Sequence, residues 1–174
     1  MEIRQAGLTL IELLFVLAVM AILATIGLPA MAGFVSETRV TAKTNITIGH
    51  LQFARQAAVT RRVNVVACPS TDLSGCSGSN RWNEGWIVFI DRDNDSEADS
   101  VDDVLRVVPA KEHLLLHSAG RHRVRFQPAG TAYGTNLTIR VCDPLNRAEA
   151  RAIVVSNPGR VRVRRGVSQS ECDI

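Results

Sequence analysis

Gly159-Arg160-Val161-Arg162-Val163-Arg164-Arg165 sets arginines at alternate positions with valines between them. On a β-strand alternate residues share a face, so Arg160, Arg162 and Arg164 would stand about 6.7 Å apart while Val161 and Val163 turn to a core. A guanidinium stays charged in practice and offers paired donors, so this rail, with Arg165 at its end, suits the phosphates of a nucleic acid. Arg121-His122-Arg123-Val124-Arg125-Phe126 repeats the alternation and gives a second, weaker ladder at Arg121, Arg123 and Arg125. No aromatic residue interleaves Arg160 to Arg165, so base stacking is not indicated and sequence preference should be weak. The plain alternative is a solvated strand face on which arginine serves solubility.

Two other groupings invite metal chemistry. Asp91-x-Asp93-x-Asp95-x-Glu97-x-Asp99-x-x-Asp102 has the oxygen spacing of a calcium loop, with Asp91, Asp93 and Asp95 as the leading ligands. Ser96 replaces the turn glycine, Asp102 replaces the bidentate glutamate, and the flanks read as strands, so a solvated acidic hairpin loop is the preferred reading. His113 and His117 are four apart, but Leu114-Leu115-Leu116 between them reads as a buried segment and lacks the acid of H-E-x-x-H. No Ser-His-Asp or Cys-His signature is present, so the chain reads as non-enzymatic and without a cofactor. The four cysteines include no C-x-x-C pair, which disfavours zinc and favours two disulfides. Cys68 and Cys76 bracket a turn-rich loop and should pair locally, leaving Cys142 with Cys172.

These residues hang on a simple order of elements. From Leu8 the chain is apolar to Val35 except for Glu12, and a charge at hydrocarbon depth costs roughly 2.5 kcal/mol or more, which marks Glu12 as functional. One long helix is expected from Leu8 to about Arg61, with a kink or local melting at Pro29. Past Ser36 it turns amphipathic: Val40, Ile48, Leu51, Ala54, Ala58 and Val59 form a stripe, while Arg39, Lys43, Gln52, Arg55 and Arg62 look solvated. After Arg62 the period becomes two. Strands are expected near 63–68, 86–91, 104–109, 114–117, 121–127, 137–142, 151–156 and 161–165. The class is α+β, one kinked N-terminal helix on a mostly antiparallel head. Net charge is +3, which conceals acids crowded between Glu84 and Asp103 and bases enriched after Lys111.

The leader Met1 to Ala6, then Gly7, then an apolar helix carrying Glu12, resembles the processing site of type IV pilins and pseudopilins. Gly85-Trp86-Ile87-Val88-Phe89-Ile90-Asp91-Arg92-Asp93-Asn94-Asp95 resembles the strand-and-loop signature of the FimT/GspH branch, with Ser96 where that family has glycine. Gly159-Arg160-Val161-Arg162 is similar to the DNA-binding Gly-Arg-x-Arg of FimT-type minor pilins from competent bacteria. The resemblance implies a prepilin leader at 1–7, a transmembrane and assembly helix at 8–35, and a head at 36–174. It implies a peptidase that cuts between Gly7 and Leu8 and methylates Leu8, and a Glu12 that pairs with a neighbouring subunit's amine. It further implies an inner-membrane, single-pass precursor with its head in the periplasm, later part of a pilus with other pilin subunits. Its DNA-binding residues would be Gly159, Arg160, Arg162, Arg164 and Arg165, serving DNA uptake in natural transformation. The alternative is a GspH-type pseudopilin of a type II secretion system, with protein partners; a calcium-stabilised adhesion tip rests on the acidic loop alone.

An ordinary signal peptide remains the competing origin for the apolar segment, with Ala30-Met31-Ala32 as a small-x-small cleavage site. Intact mass and N-terminal sequencing of the membrane-extracted protein separate the two. The expected product begins at methylated Leu8; a product beginning at Gly33 would show the ordinary signal.

Overall fold

The computed structural model describes residues 9–72, 74–100, 103–110 and 113–172. Gly7, Leu8 and Asp102 therefore lie outside the described residues. Helix α1 (Leu10–Arg61) has 52 residues, a length of about 78 Å at 1.5 Å per residue. Thr9 caps it: its Oγ1 accepts from the Glu12 N–H at 3.3 Å, and Thr9-x-x-Glu12 has capping-box spacing. Arg62, left-handed at φ 56°, ends it. The helix runs unbroken through Pro29, so the local melting expected there does not occur. A proline removes one rung of the ladder, and here the neighbouring turns carry the helix past it.

Large apolar residues of the first half, Leu10 to Val35, face outward, and Ser36 is the first buried residue of the helix. This half is long and apolar enough to cross a membrane, with a mean hydropathy of 2.6 over 18 residues. The second half buries Ser36, Val40, Thr44, Thr47, Leu51, Ala54 and Ala58, spaced by three or four as one helical face requires. Most are small, so the backbone approaches the head closely. Val59, expected in the stripe, is 48% exposed because it falls at the margin, beside Gly130. Where the helix enters the head, Glu37 pairs with Arg151 at 2.5 Å and accepts from the Glu149 N–H at 3.2 Å.

The strands are β1 (Asn64–Pro69), β2 (Gly85–Asp91), β3 (Val104–Pro109), β4 (Leu115–Ser118), β5 (Val124–Phe126), β6 (Leu137–Cys142), β7 (Arg151–Val155) and β8 (Val161–Arg164). They form two sheets, β3-β2-β1-β5 and β4-β6-β7-β8, with every pairing antiparallel. Between these sheets and α1 lies a core that includes Trp82, Trp86, Leu116, Phe126, Ile139 and Ile153. The Trp82 indole N–H donates to Ser118 Oγ at 3.0 Å, so its one polar atom is satisfied. Strand β2 is buried on both faces, which explains its continuous apolar run. Its second face, with Val66, Cys68, Ile87 and Phe89, is covered by Cys76, Ala98 and Val104. Cys68 is bonded to Cys76 and Cys142 to Cys172. The second bond draws Val167 and Cys172 over Ala150 and Ala152 on the outer face of the second sheet.

Strand β5 is shorter than expected, because Arg121 sits in a turn: its N–H bonds Ala119 O at 3.0 Å, and Gly120 is left-handed. Arg121 and Arg123 therefore precede the strand, and Arg125 does not continue a ladder with them. Arg125 Nε lies 3.0 Å from the fully buried Asp91 carboxylate, an ion-pair contact without hydrogen-bond alignment. Its Nη2 donates to Asn94 O at 2.9 Å and to Ser96 Oγ. Arg125 thus closes the acidic loop. Ser96 adopts φ 70°, the conformation glycine takes most easily, and its N–H donates to Asp91 Oδ1 at 3.3 Å.

Removing Arg125 strands a buried carboxylate. Arg125→Ala should destabilise the head by roughly 3–5 kcal/mol. Denaturant unfolding of the full chain in mild detergent, followed by tryptophan fluorescence, measures this; a loss below about 1 kcal/mol would mean that the pair is solvent-relaxed.

Candidate nucleic-acid interface

Strand β8 forms one edge of the second sheet, and its register places the arginines. Arg162 lies opposite Val154 and Arg164 opposite Ala152; Ala152 in turn faces Arg140, and Val154 faces Thr138. Directly paired residues share a face. Arg164, Ala152 and Arg140 therefore make one row across the sheet, and Arg162, Val154 and Thr138 the next. The two rows border an open groove of about 730 Å³, lined also by Arg121 and Glu171. Arg162 is exposed, and its side chain makes no hydrogen bond or ion pair among the described residues. Arg121 Nη1 donates to the Asn136 carbonyl at 2.9 Å and to its side chain at 3.2 Å, which leaves the rest of its fork open. Arg164 Nη2 bonds Glu171 Oε2 at 2.7 Å, and Arg140 reaches the same oxygen through Nε and Nη2 at 3.3 Å. The hydrogen bond from Arg164 holds the Glu171 carboxyl below its ordinary value of 4.5. On β4, opposite Arg140, His117 continues this row but is buried, with Nε2 3.2 Å from the Glu171 carbonyl, and burial lowers its pKa.

The expected single rail is divided. Arg160 lies before β8, in a turn closed by Ser156 N–H to Arg160 O at 3.0 Å and Gly159 N–H to Ser156 O at 2.7 Å. It borders a different cleft, about 370 Å³, between α1 and β8 with Gln52, Arg55 and Gln56. Val163, expected inward, is 39% exposed, because β8 is an edge with no strand beyond to cover it; Val161 does pack on the core. Arg165 is exposed just past the strand end. Arg123 is half-buried, its Nη1 3.4 Å from His122 Nε2.

Gly159, expected among the DNA-binding residues, is buried. Its φ is 76°, and a Cβ there would sit 1.9 Å from the Gly130 carbonyl oxygen. Arg55 of α1 donates from Nε to that oxygen at 2.8 Å and from Nη2 to Pro158 O at 3.5 Å. The arginine read as solvated thus ties two turns to the helix, and Gly159 lies at that junction just before Arg160 and β8.

The grouping of Arg121, Arg140 and Glu171 with β8 was not anticipated. Thr138 and Arg140 do alternate with the apolar Leu137 and Ile139, so their outward face was legible, but their partners lie on strands distant in sequence. On the first sheet, the carboxylate oxygens of Asp91, Asp93 and Asp95 lie within 4.8 Å of one another. Asp91 is taken up by Arg125, and Asp95 Oδ1 accepts from the Glu97 N–H at 2.7 Å, so the loop supplies its own partners. Asp93 raises the pKa of Asp99 nearby, the mark of unshared negative charge at the exposed tip. His113 is exposed and His117 bonded to a backbone carbonyl, so the structure does not join them.

A long N-terminal helix, apolar in its outer half and packed by its inner half on an antiparallel head, defines a pilin-like protein. A prokaryotic N-terminal methylation motif matches residues 3–28, which include Gly7, Leu8 and Glu12. The family model described as type II transport protein GspH matches residues 44–159, and the chain belongs to that family. This match stops at Gly159, so the β8 arginines lie beyond it. Among solved structures, the type IV minor pilin FimU of Pseudomonas aeruginosa aligns with TM-score 0.57 at 18% identity, covering 75% of this chain and 92% of that one. The minor pseudopilin EpsH of the Vibrio cholerae type 2 secretion system aligns with TM-score 0.52 at 10% identity, covering 74% and 98%. At these identities the likeness is one of fold. No curated protein sequence matches the chain.

Gly159→Ala combines a left-handed φ with a backbone collision. It should cost roughly 1–3 kcal/mol and move β8, whereas Arg160→Ala should be nearly neutral to stability. Thermal melting of both variants checks the contrast; equal melting temperatures would deny Gly159 its packing role.

Proposed function

We propose that this minor pilin or pseudopilin binds duplex DNA through the outer face of its second sheet, as a pilus subunit serving DNA uptake. The observation that carries the reading is the convergence of Arg121, Arg140, Arg162 and Arg164 on one open groove; Arg160 stands at a separate cleft against α1, and Arg165 is exposed just past the end of β8. Binding there is to the sugar–phosphate backbone: the groove offers charge and paired donors, with no aromatic platform among its lining residues. The processing that the motif suggests completes the proposal. A peptidase cuts after Gly7 and methylates Leu8, the helix anchors the chain in the inner membrane with the head in the periplasm, and Glu12 pairs with a neighbouring subunit's amine on assembly.

The second reading is a GspH-type pseudopilin of a type II secretion system, favoured by the family description and by the EpsH fold. There the same arginines would meet protein partners.

Fluorescence anisotropy of a labelled duplex, titrated with the full chain in mild nonionic detergent, distinguishes the two. The expected dissociation constant is about 10⁻⁴ to 10⁻⁶ M at physiological salt, independent of sequence. Each phosphate neutralised contributes about −0.9 to the log–log salt slope, so Arg162→Gln combined with Arg160→Gln should flatten it by up to about two units. A folded chain that binds no duplex even at low salt would transfer the assignment to the pseudopilin.

A further inference from the structure

We infer that Glu171 is a built-in counter-anion of the arginine groove, occupying the position of a phosphate and thereby setting which anions the groove accepts. The inference rests on the DNA-binding reading above. Among the described residues that line the groove, Glu171 is the one acid, and its Oε2 alone engages both Arg164 and Arg140. One carboxylate oxygen bridging two guanidinium groups is the arrangement a non-bridging phosphate oxygen adopts.

The placement is enforced from the backbone. The next residue, Cys172, is bonded to Cys142, which lies two positions beyond Arg140 on β6. Gln169–Glu171 forms a short 3-10 turn, the Glu171 N–H bonds Ser168 O at 3.0 Å, and the Glu171 carbonyl meets His117. The main chain is therefore fixed while the carboxylate itself is partly open to solvent, 29% exposed on the side chain, as is Arg164 at 51%. Ion pairs of that exposure exchange readily.

A lone small anion gains little by replacing Glu171, since it trades one charge-assisted contact for another and leaves the carboxylate beside it. An extended polyanion first engages Arg162 and Arg121, which carry no acid, and then competes for Arg164 and Arg140 at high local concentration. The groove thus selects polymers over free phosphate and keeps their binding reversible.

The test compares the wild-type chain with Glu171→Gln in detergent, using a 20-base-pair duplex and, separately, inorganic phosphate as probes. Glutamine keeps the shape and removes the charge, and thermal melting verifies the fold. The expected result is duplex affinity higher on the order of threefold to tenfold, and a salt slope steeper by up to about 1.8 as two arginines become available. Inorganic phosphate should perturb the Arg140 and Arg164 side-chain NMR signals in the variant at lower concentration than in the wild type. Glu171→Gln combined with Arg164→Gln should lose most of the gain, because the coupling runs through that pair. Should glutamine unsettle the turn, Glu171→Asp, which retracts the carboxylate by one methylene, should give a smaller gain in the same direction. If the wild type binds duplex and a folded Glu171→Gln shows equal affinity and slope, the counter-anion role is overturned while DNA binding stands. If neither binds at low salt, both fall together. Duplex binding by the variant alone would support the role of Glu171 in its strongest form.

Discussion

The structure depends on how closely α1 can lie against two sheets at once. Its buried stripe is narrow and made mostly of Ser, Thr, Ala and Val, so the backbone approaches near enough for turns of the head to touch it. Arg55 exploits that proximity by binding the carbonyls of Gly130 and Pro158 together, and the two turns then meet where no side chain fits. The edge strand β8 begins two residues after Gly159, so it is placed beside this contact. A bulkier stripe would lift the helix, separate the turns and release the edge strand.

Charge is distributed by the same packing. The modest formal net charge conceals two regions that are neutralised to different degrees. The acidic loop draws Arg125 into its base and Arg92 to Asp103 at its flank, so only its tip carries unshared negative charge. Among the described residues lining the basic groove there is one acid, Glu171. The imbalance matters for encounter, because a surface field steers a charged partner before any contact forms and falls off within about a Debye length.

Much of this was legible in the sequence, for identifiable reasons. The strands were expected in the places where they lie, since side-chain alternation in most of them, and a continuous apolar run in β2, are local properties. The head half of α1 was readable from its stripe, apart from Val59 at the margin. Failures came where a residue answers to something distant. Arg125 looks like a member of a basic ladder until Asp91, on another strand, is placed beside it. Arg160 looks like the first post of a rail until the turn at 156–160 rotates it toward the helix, and Gly159 looks like part of a binding motif until Gly130 arrives. Arg140 carried no local signal linking it to β8, because pairing through β7 is what joins them; Glu171, seven residues past Arg164, is brought back to it by a 3-10 turn beside the Cys142–Cys172 bond.

The bond between Cys142 and Cys172 gives the head a history as well as a shape. Such bonds close only in oxidising surroundings, so a chain folded before that point carries its last residues untied. In that interval Ala150, Ala152 and Val167 lack the cover that Cys172 completes, and the second sheet is both greasier and more positive than in the finished molecule. One covalent bond keeps an apolar patch covered and an acid among the arginines, so the surface shown to other molecules depends on the oxidation state of two cysteines.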